Sequence, residues 1–255
     1  MSLDPQFSLA GRTALVTGSS RGIGRAILLA FARAGADVIV HGVRENDVSR
    51  QTVHEAGKCG GSATFLAGDL SASGGGRLLA EAALRHAGKI DVLVLNASLQ
   101  IRKAWSEITP EEFETQMRTN LQASLEMIQV LAPPMQAGKW GRILSIGSVQ
   151  EAKPHPDMLV YAASKAAQTN MIQNLARQLA PDGITANNLA PGVVETDRNV
   201  EALADSAYAD KVRSSIPAGM FGSPDDCAGA ALLLCSEAGR YITGQNLFVD
   251  GGMGL

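Results

Sequence analysis

Thr17-Gly18-Ser19-Ser20-Arg21-Gly22-Ile23-Gly24 follows an apolar run at residues 12–17 (RTALVT) and leads into a helix-like stretch at 24–34. Glycine accepts positive φ and carries no Cβ, so a Gly-x-x-x-Gly-x-Gly turn lets the backbone approach a ligand closely. The helix that follows offers free N–H groups and a partial positive charge, which suits a pyrophosphate. The spacing differs from the GxGxxG of the standard dinucleotide fingerprint. Alone, the turn reads as a cofactor cradle or as a tight connection. Its place between the first strand and the first helix of an alternating series favours the cradle.

That series decides the fold. Short apolar runs recur at 37–40 (DVIV), 64–67 (TFLA), 90–95 (IDVLVL), 141–146 (GRILSI), 184–189 (ITANNL) and 246–249 (NLFV). Between them lie segments with apolar residues at helical spacing, 168–179 and 225–235 among them. Strands alternating with helices imply βαβ units and a parallel sheet. Such strands are buried on both faces and read as nearly continuous apolar runs. The expectation is a doubly wound α/β fold: a mostly parallel seven-stranded sheet with helices on both faces. No repeat or low-complexity linker interrupts the 255 residues, so residues 1–255 are expected to form one domain.

Composition excludes several function classes. The net charge is -3 with no Lys/Arg block, so neither nucleic acid nor an anionic membrane is expected as a partner. No apolar run has the length of a transmembrane helix, and the start of the chain lacks the pattern of a secretory signal. The three cysteines have no CxxC spacing and read as reduced thiols of a cytoplasmic protein. The four histidines are scattered, so no metal site is expected.

The second strand tests the cofactor. Sites that prefer NAD carry an acid near its end, bonded to the ribose hydroxyls. Here it ends in Val40-His41-Gly42-Val43-Arg44, with no acid before Glu45. Arg21 and Arg44 are either solvated or poised to grip a 2′-phosphate, which a carboxylate there would repel. NADP is therefore favoured, with NAD possible. Asp69, beside Leu70 after the third strand, either caps a helix or accepts a bond from the adenine amine.

The remaining polar landmarks fall in one order: Leu95-Asn96-Ala97-Ser98, Asn120, Ser145-Ile146-Gly147-Ser148, Tyr161-x-x-x-Lys165 and Pro191-Gly192. Together with the glycine turn, Asp69 and the tail (Tyr241-Ile242-Thr243-Gly244-Gln245, then Val249-Asp250-Gly251-Gly252), this pattern resembles the short-chain dehydrogenase/reductase family over essentially the whole chain. The resemblance implies a Rossmann-type fold and hydride transfer between a nicotinamide cofactor and a carbonyl or alcohol. It makes Tyr161 the proton donor or acceptor. Lys165, one helical turn on, shares its face, and its positive charge favours the phenolate of a group that ordinarily titrates near ~10. In the family the lysine also bonds the nicotinamide ribose. Ser148 matches the serine that bonds the substrate oxygen, and Asn120 the asparagine that holds a relay water. Read without the resemblance, Ser148 is a helix cap and Asn120 a helix-interior bond.

Other roles carry over in the same way. Gly18, Ser20, Arg21, Gly22, Ile23 and Gly24 form the cradle, with Arg44, Asp69 and Leu70 toward the adenosine. Asn96, Ala97 and Ser98 match a segment under the ribose, where the family has NNAG and this chain LNAS. Pro191, Gly192, Val194 and Thr196 match the turn that holds the carboxamide.

Residues 99–105, 150–160 and 195–221 are expected to touch substrate, the last as a lid. Arg102, Lys103, Lys153, His155 and Arg198 form either a basic rim for an anionic substrate or ordinary surface charge. Met158, Trp105 and Met220 are an apolar wall or plain core. The tail and Ile216-Pro217-Ala218-Gly219 resemble two subgroups: sugar, polyol and sugar-acid dehydrogenases, and 3-oxoacyl-[acyl-carrier-protein] reductases. A non-catalytic NADP sensor remains as a third reading, because fold does not fix function. By resemblance the chain is expected to form a homotetramer through the YxxxK helix and the C-terminal strand.

Overall fold

A computed structural model describes residues 4–255, with the side chains of Arg198, Glu201 and Ala202 outside the description. Seven strands form one sheet: β1 (Thr13–Val16), β2 (Asp37–Gly42), β3 (Ala63–Ala67), β4 (Val92–Leu95), β5 (Gly141–Ile146), β6 (Ile184–Pro191) and β7 (Asn246–Val249). Their order is β3-β2-β1-β4-β5-β6-β7, and every pairing is parallel. Chain direction across the sheet reverses between β1 and β4, which opens a crevice at the carboxyl ends of the strands.

The helices are α1 (Gly22–Arg33), α2 (Asp47–Gly57), α3 (Gly75–Ala87), α4 (Pro110–Met117), α5 (Ala123–Ala137), α6 (Leu159–Leu179), α7 (Asp197–Leu203), α8 (Ser206–Ser214) and α9 (Pro224–Cys235). Strand alternation divides the core into two layers. Ala14, Val16, Val38, Val40, Val92 and Val94 face α1, α2 and α9. Leu15, Ile39, Leu93, Leu95 and Ile143 face α3, α5 and α6. Each fully buried Leu, Ile or Val contributes about 1.5–3 kcal/mol relative to exposure, so both layers are needed to hold the sheet.

Local chemistry fixes the boundaries. Asn46 and Ser49 cap α2 reciprocally; Thr109 and Glu112 do so for α4, which carries Pro110 at its first position. Between α4 and α5 the residues Arg118–Gln122 form a π turn, the kind of local widening that recurs at functional sites.

Candidate active site

A cavity of about 850 Å³ runs along the carboxyl ends of the strands, from Val43 and Arg44 past the glycine turn to Ser148 and Tyr161. Gly18 and Gly22 adopt φ of 63° and 58°, open to glycine and strained for other residues. Gly24 needs its missing side chain for a different reason. A Cβ there would lie 2.4 Å from Asn96 Nδ2 and 2.6 Å from the Gly18 carbonyl oxygen. The first turn of α1 has no side-chain cap, which leaves its N–H groups to the cavity. An extended anionic dinucleotide fits this cradle. No carboxylate at the end of β2 lines it among the described residues, and Arg44 does.

Asn96 works mainly as a staple for the turn. Its Nδ2 donates to the Thr17 and Gly18 carbonyls at 2.8 and 3.1 Å, and the Asn96 and Ala97 amides donate to Thr17 Oγ1 at 2.9 and 3.0 Å. His41 is a second staple, one that sequence reasoning missed. Its Nδ1 accepts from the Gly18 amide at 2.9 Å, so Nε2 carries the hydrogen and donates to the Gly68 carbonyl at 3.1 Å. Burial pushes its pKa down to about 4 against the opposing Gly68 bond, and the ring is neutral near pH 7. The imidazole thus ties the turns after β1 and β3 to the end of β2.

The other cofactor candidates separate by surroundings. Asp69 lines the cavity while its carboxylate accepts from Ser71 Oγ at 2.6 Å and the Ser71 amide at 2.9 Å. The hydroxyl bond first, then the amide, lowers its pKa. A local turn cap is therefore what the side chain forms. Arg21 leans across the cleft to Asp197 at 3.3 Å, each side chain 70% exposed, a pair of little net stability. Ser20, Ile23, Leu70, Ala97, Ser98, Pro191, Gly192, Val194 and Thr196 all line the cavity. The Gly192 amide donates to the Val249 carbonyl at 3.0 Å, which locks the turn after β6 to β7.

Three of the four catalytic candidates meet in this cavity: Ser148, Tyr161 and Lys165. Ser148 is a cap as well as a cavity residue. Its Oγ accepts from the Gln150 amide at 3.2 Å, so its own hydrogen points elsewhere. Glu151 Oε1 accepts from the Ser148 amide at 3.3 Å and from Asn188 Nδ2 at 3.1 Å, while Oε2 accepts from Thr169. Lys165 is 1% exposed, with Nζ 5.8 Å from the Tyr161 ring centre. A buried ammonium needs partners. It donates to the Ile146 carbonyl at 2.6 Å and to Gln168 Oε1 at 3.1 Å. Asn120 sits behind the cavity in the π turn. Its Oδ1 accepts from the Leu99 amide at 2.8 Å, and its Nδ2 donates to the Leu99 carbonyl and Ser164 Oγ, each at 2.9 Å.

At the substrate end, Leu99, Gln100, Arg102, Gln150, His155 and Met158 come from two of the three expected segments. The third contributes Leu203, Tyr208 and Val212 from α7 and α8, and Met253 joins from the tail; periodicity did not single these out. Trp105 and Met220 fit neither expected role, at 73% and 59% exposed and off the cavity. Of the basic rim, Arg102 and His155 line the cavity. Lys103 pairs with Glu112 at 3.0 Å, Lys153 donates to the Met253 carbonyl at 3.0 Å, and the side chain of Arg198 lies outside the described residues.

Comparison with known proteins gives the same reading. A family model described as Enoyl-(Acyl carrier protein) reductase matches residues 18–254. The chain is 35% identical to a gluconate 5-dehydrogenase of Gluconobacter oxydans, over 99% of this chain and 98% of that protein. A solved 3-oxoacyl (acyl-carrier-protein) reductase from Agrobacterium tumefaciens C58 with NADP bound is 45% identical, with TM-score 0.94, covering 99% and 98%. A gluconate 5-dehydrogenase from Burkholderia cenocepacia J2315, in complex with NADP and tartrate, is 34% identical, with TM-score 0.91, covering 98% and 97%. The chain belongs to the short-chain dehydrogenase/reductase family, whose members are oxidoreductases of CH–OH groups.

Proposed function

We propose that the chain is an NADP(H)-dependent oxidoreductase that interconverts a carbonyl and an alcohol on a sugar, polyol or sugar acid. The observation that carries this is one cavity that joins the glycine turn to Ser148, Tyr161 and Lys165. Gly18, Gly22, Gly24 and the α1 N-terminus would hold the pyrophosphate, Arg44 the 2′-phosphate, and Pro191 to Thr196 the carboxamide. NADP(H), when bound, supplies or takes the hydride.

The residues of the chain handle the oxygen and its proton. For reduction, the Ser148 hydroxyl donates to the substrate carbonyl oxygen and orients it. The Tyr161 phenol gives its proton to that oxygen; in oxidation the phenolate takes the proton back. The Lys165 ammonium stabilises that phenolate. Asn120 holds Leu99 at the cavity wall. Tyr161→Phe is expected to abolish turnover, followed by absorbance at 340 nm, while NADPH binding by fluorescence titration persists. Near-wild-type turnover would sink the assignment.

Arg102 and His155 favour a carboxylated substrate. His155 Nδ1 accepts from the Asp157 amide at 3.1 Å, so Nε2 carries the hydrogen, and Arg102 Nη2 lies 3.5 Å from it. Two N–H donors that line one cavity can share a carboxylate as acceptor. Arg102→Leu is expected to raise KM for a keto-sugar acid at least tenfold and leave KM for a neutral ketose within about twofold. Equal effects on both would remove the carboxylate from the reading.

A second reading, 3-oxoacyl-[acyl-carrier-protein] reductase, draws on the apolar wall of Leu99, Met158, Leu203, Val212 and Met253 and on the 45% identical reductase. A panel of keto-sugar acids, ketoses and 3-oxoacyl thioesters, each with NADH and NADPH, decides between the two.

Residues 1–255 are proposed to act as one dinucleotide-binding and catalytic domain in a cytoplasmic homotetramer. Among the described residues no helix is long and apolar enough to cross a membrane. Edge strand β7 exposes Leu247 and Phe248, each at 37%, which favours assembly there. Phe248→Glu is expected to lower the mass seen by light scattering; an unchanged tetramer would remove β7 from the interface.

A further inference from the structure

We propose that Gln168, with Ser124 behind it, is a positioning residue for the catalytic base: it clamps the Lys165 ammonium and so sets the pH at which Tyr161 works. The proposal rests on the roles of Tyr161 and Lys165 given above. Gln168 and Ser124 are 1% and 5% exposed, in the interface between α5 and α6 where apolar packing is the ordinary solution. Two buried polar side chains there require partners, and they find them in a directed chain. Lys165 Nζ donates to Gln168 Oε1 at 3.1 Å, Gln168 Nε2 donates to Ser124 Oγ at 2.9 Å, and Ser124 Oγ donates to the Asn120 carbonyl at 3.1 Å.

The direction is forced at both ends. An ammonium only donates, so the amide must turn its oxygen to Lys165, and the terminal carbonyl only accepts. Every donor points away from the cation, and each bond polarises the next, which favours the charged lysine. An uncharged amide nitrogen does not pick up a proton, so Gln168 acts as a clamp and not as a conduit. Asn120 closes the frame: its Nδ2 donates to Ser164 Oγ, which donates to the Tyr161 carbonyl at 2.7 Å, so the tail of the chain and the helix turn that carries the phenol are tied together.

Charged and titratable side chains from several elements share this part of the site. Tyr161 lies one turn back on α6. Glu151, from the turn after β5, reaches α6 at Thr169 and divides its other bonds between Ser148 and Asn188. His155 and Arg102 line the same cavity.

The test is the pH profile of kcat/KM for alcohol oxidation, which rises with pH as the phenol ionises. Gln168→Met keeps the length of the side chain and removes both bonds. A loosened ammonium stabilises phenolate less, so the rising limb is expected to move up by about one pH unit, a tenfold loss on its acid side. Ser124→Ala, a one-atom deletion that preserves packing if Gln168→Met does not fold, is expected to move it the same way by less. Melting temperatures, measured in parallel, read packing. A lower melting temperature or lower rate with an unmoved limb in both variants would reduce Gln168 to a core residue and overturn the proposal. Tyr161→Phe separates this from the wider reading. If it is inactive while the Gln168→Met limb stays put, the clamp alone fails; if it is active, the catalytic assignment and the clamp fail together.

Discussion

Replacing His41 by leucine gives the sharpest check on how the cofactor cradle is held. The ring is 2% exposed and bonded as a neutral imidazole on both sides. Near pH 8, His41→Leu leaves the Gly18 amide and the Gly68 carbonyl without their partner, at a cost of about 3 kcal/mol for the two groups. Acid alters the comparison. The folded pKa is about 4 against an ordinary 6.5, so the unfolded chain binds the proton first. Stability from a neutral His41 is complete above pH 6.5 and is lost as pH falls through the folded value near 4. Integrated over that shift, wild type loses about 2 kcal/mol at about pH 5 relative to pH 8 through this one group. The leucine variant has no such proton to bind. The gap between the two proteins should therefore shrink from about 3 to about 1 kcal/mol between those conditions. Urea unfolding of both, at one protein concentration and both pH values, measures it. Other titrations occur in both proteins and cancel to first order. A gap that stays constant with pH would refute the neutral, doubly bonded histidine.

Three further outcomes follow from the same geometry. Arg44→Ala should cut the preference for NADPH over NADH about tenfold to a hundredfold, read as the ratio of kcat/KM values, whereas an unchanged ratio would return Arg44 to the solvent. Gly24→Ala should weaken cofactor binding at least tenfold by pushing Asn96 off the Gly18 carbonyl, and isothermal titration would detect it; unchanged affinity would mean the turn has room to give. Burial raises the thiols of Cys227 and Cys235 to about 12, so a thiol reagent near pH 8 should titrate Cys59 alone in the native protein and all three after denaturation.

The sequence made some elements plain and hid others for physical reasons. β5 and β7 begin and end where their apolar runs do. α6 starts at Leu159, nine residues before the helical periodicity at 168 becomes visible. The missing turns carry Tyr161, Ser164 and Lys165, polar residues on the buried face, so the pattern that marks an amphipathic helix is inverted where the proposed catalytic pair sits. β6 runs on to Pro191 with Asn187 and Asn188 buried. Asn187 bonds the Ile242 carbonyl and the Gln245 amide with the two ends of its side chain, and Asn188 Nδ2 donates to Asn246 and Glu151, partners about 40 to 60 residues away that no local pattern announces; Asn188 Oδ1 has no partner among the described residues.

The same distinction runs through the site. Tyr161 and Lys165 were readable because one helical turn fixes their relation, and the glycine turn because its spacing is local. His41, Gln168 and Glu151 look like ordinary members of a strand, a helix and a loop, and their roles exist only once the sheet brings distant segments together. Substitution at any of them leaves partners unpaired. A buried donor or acceptor that loses its partner costs more than the bond contributed, so each connector constrains several others at once. Local spacing therefore names the groups proposed to exchange protons with substrate, while the long-range polar bonds determine where those groups stand.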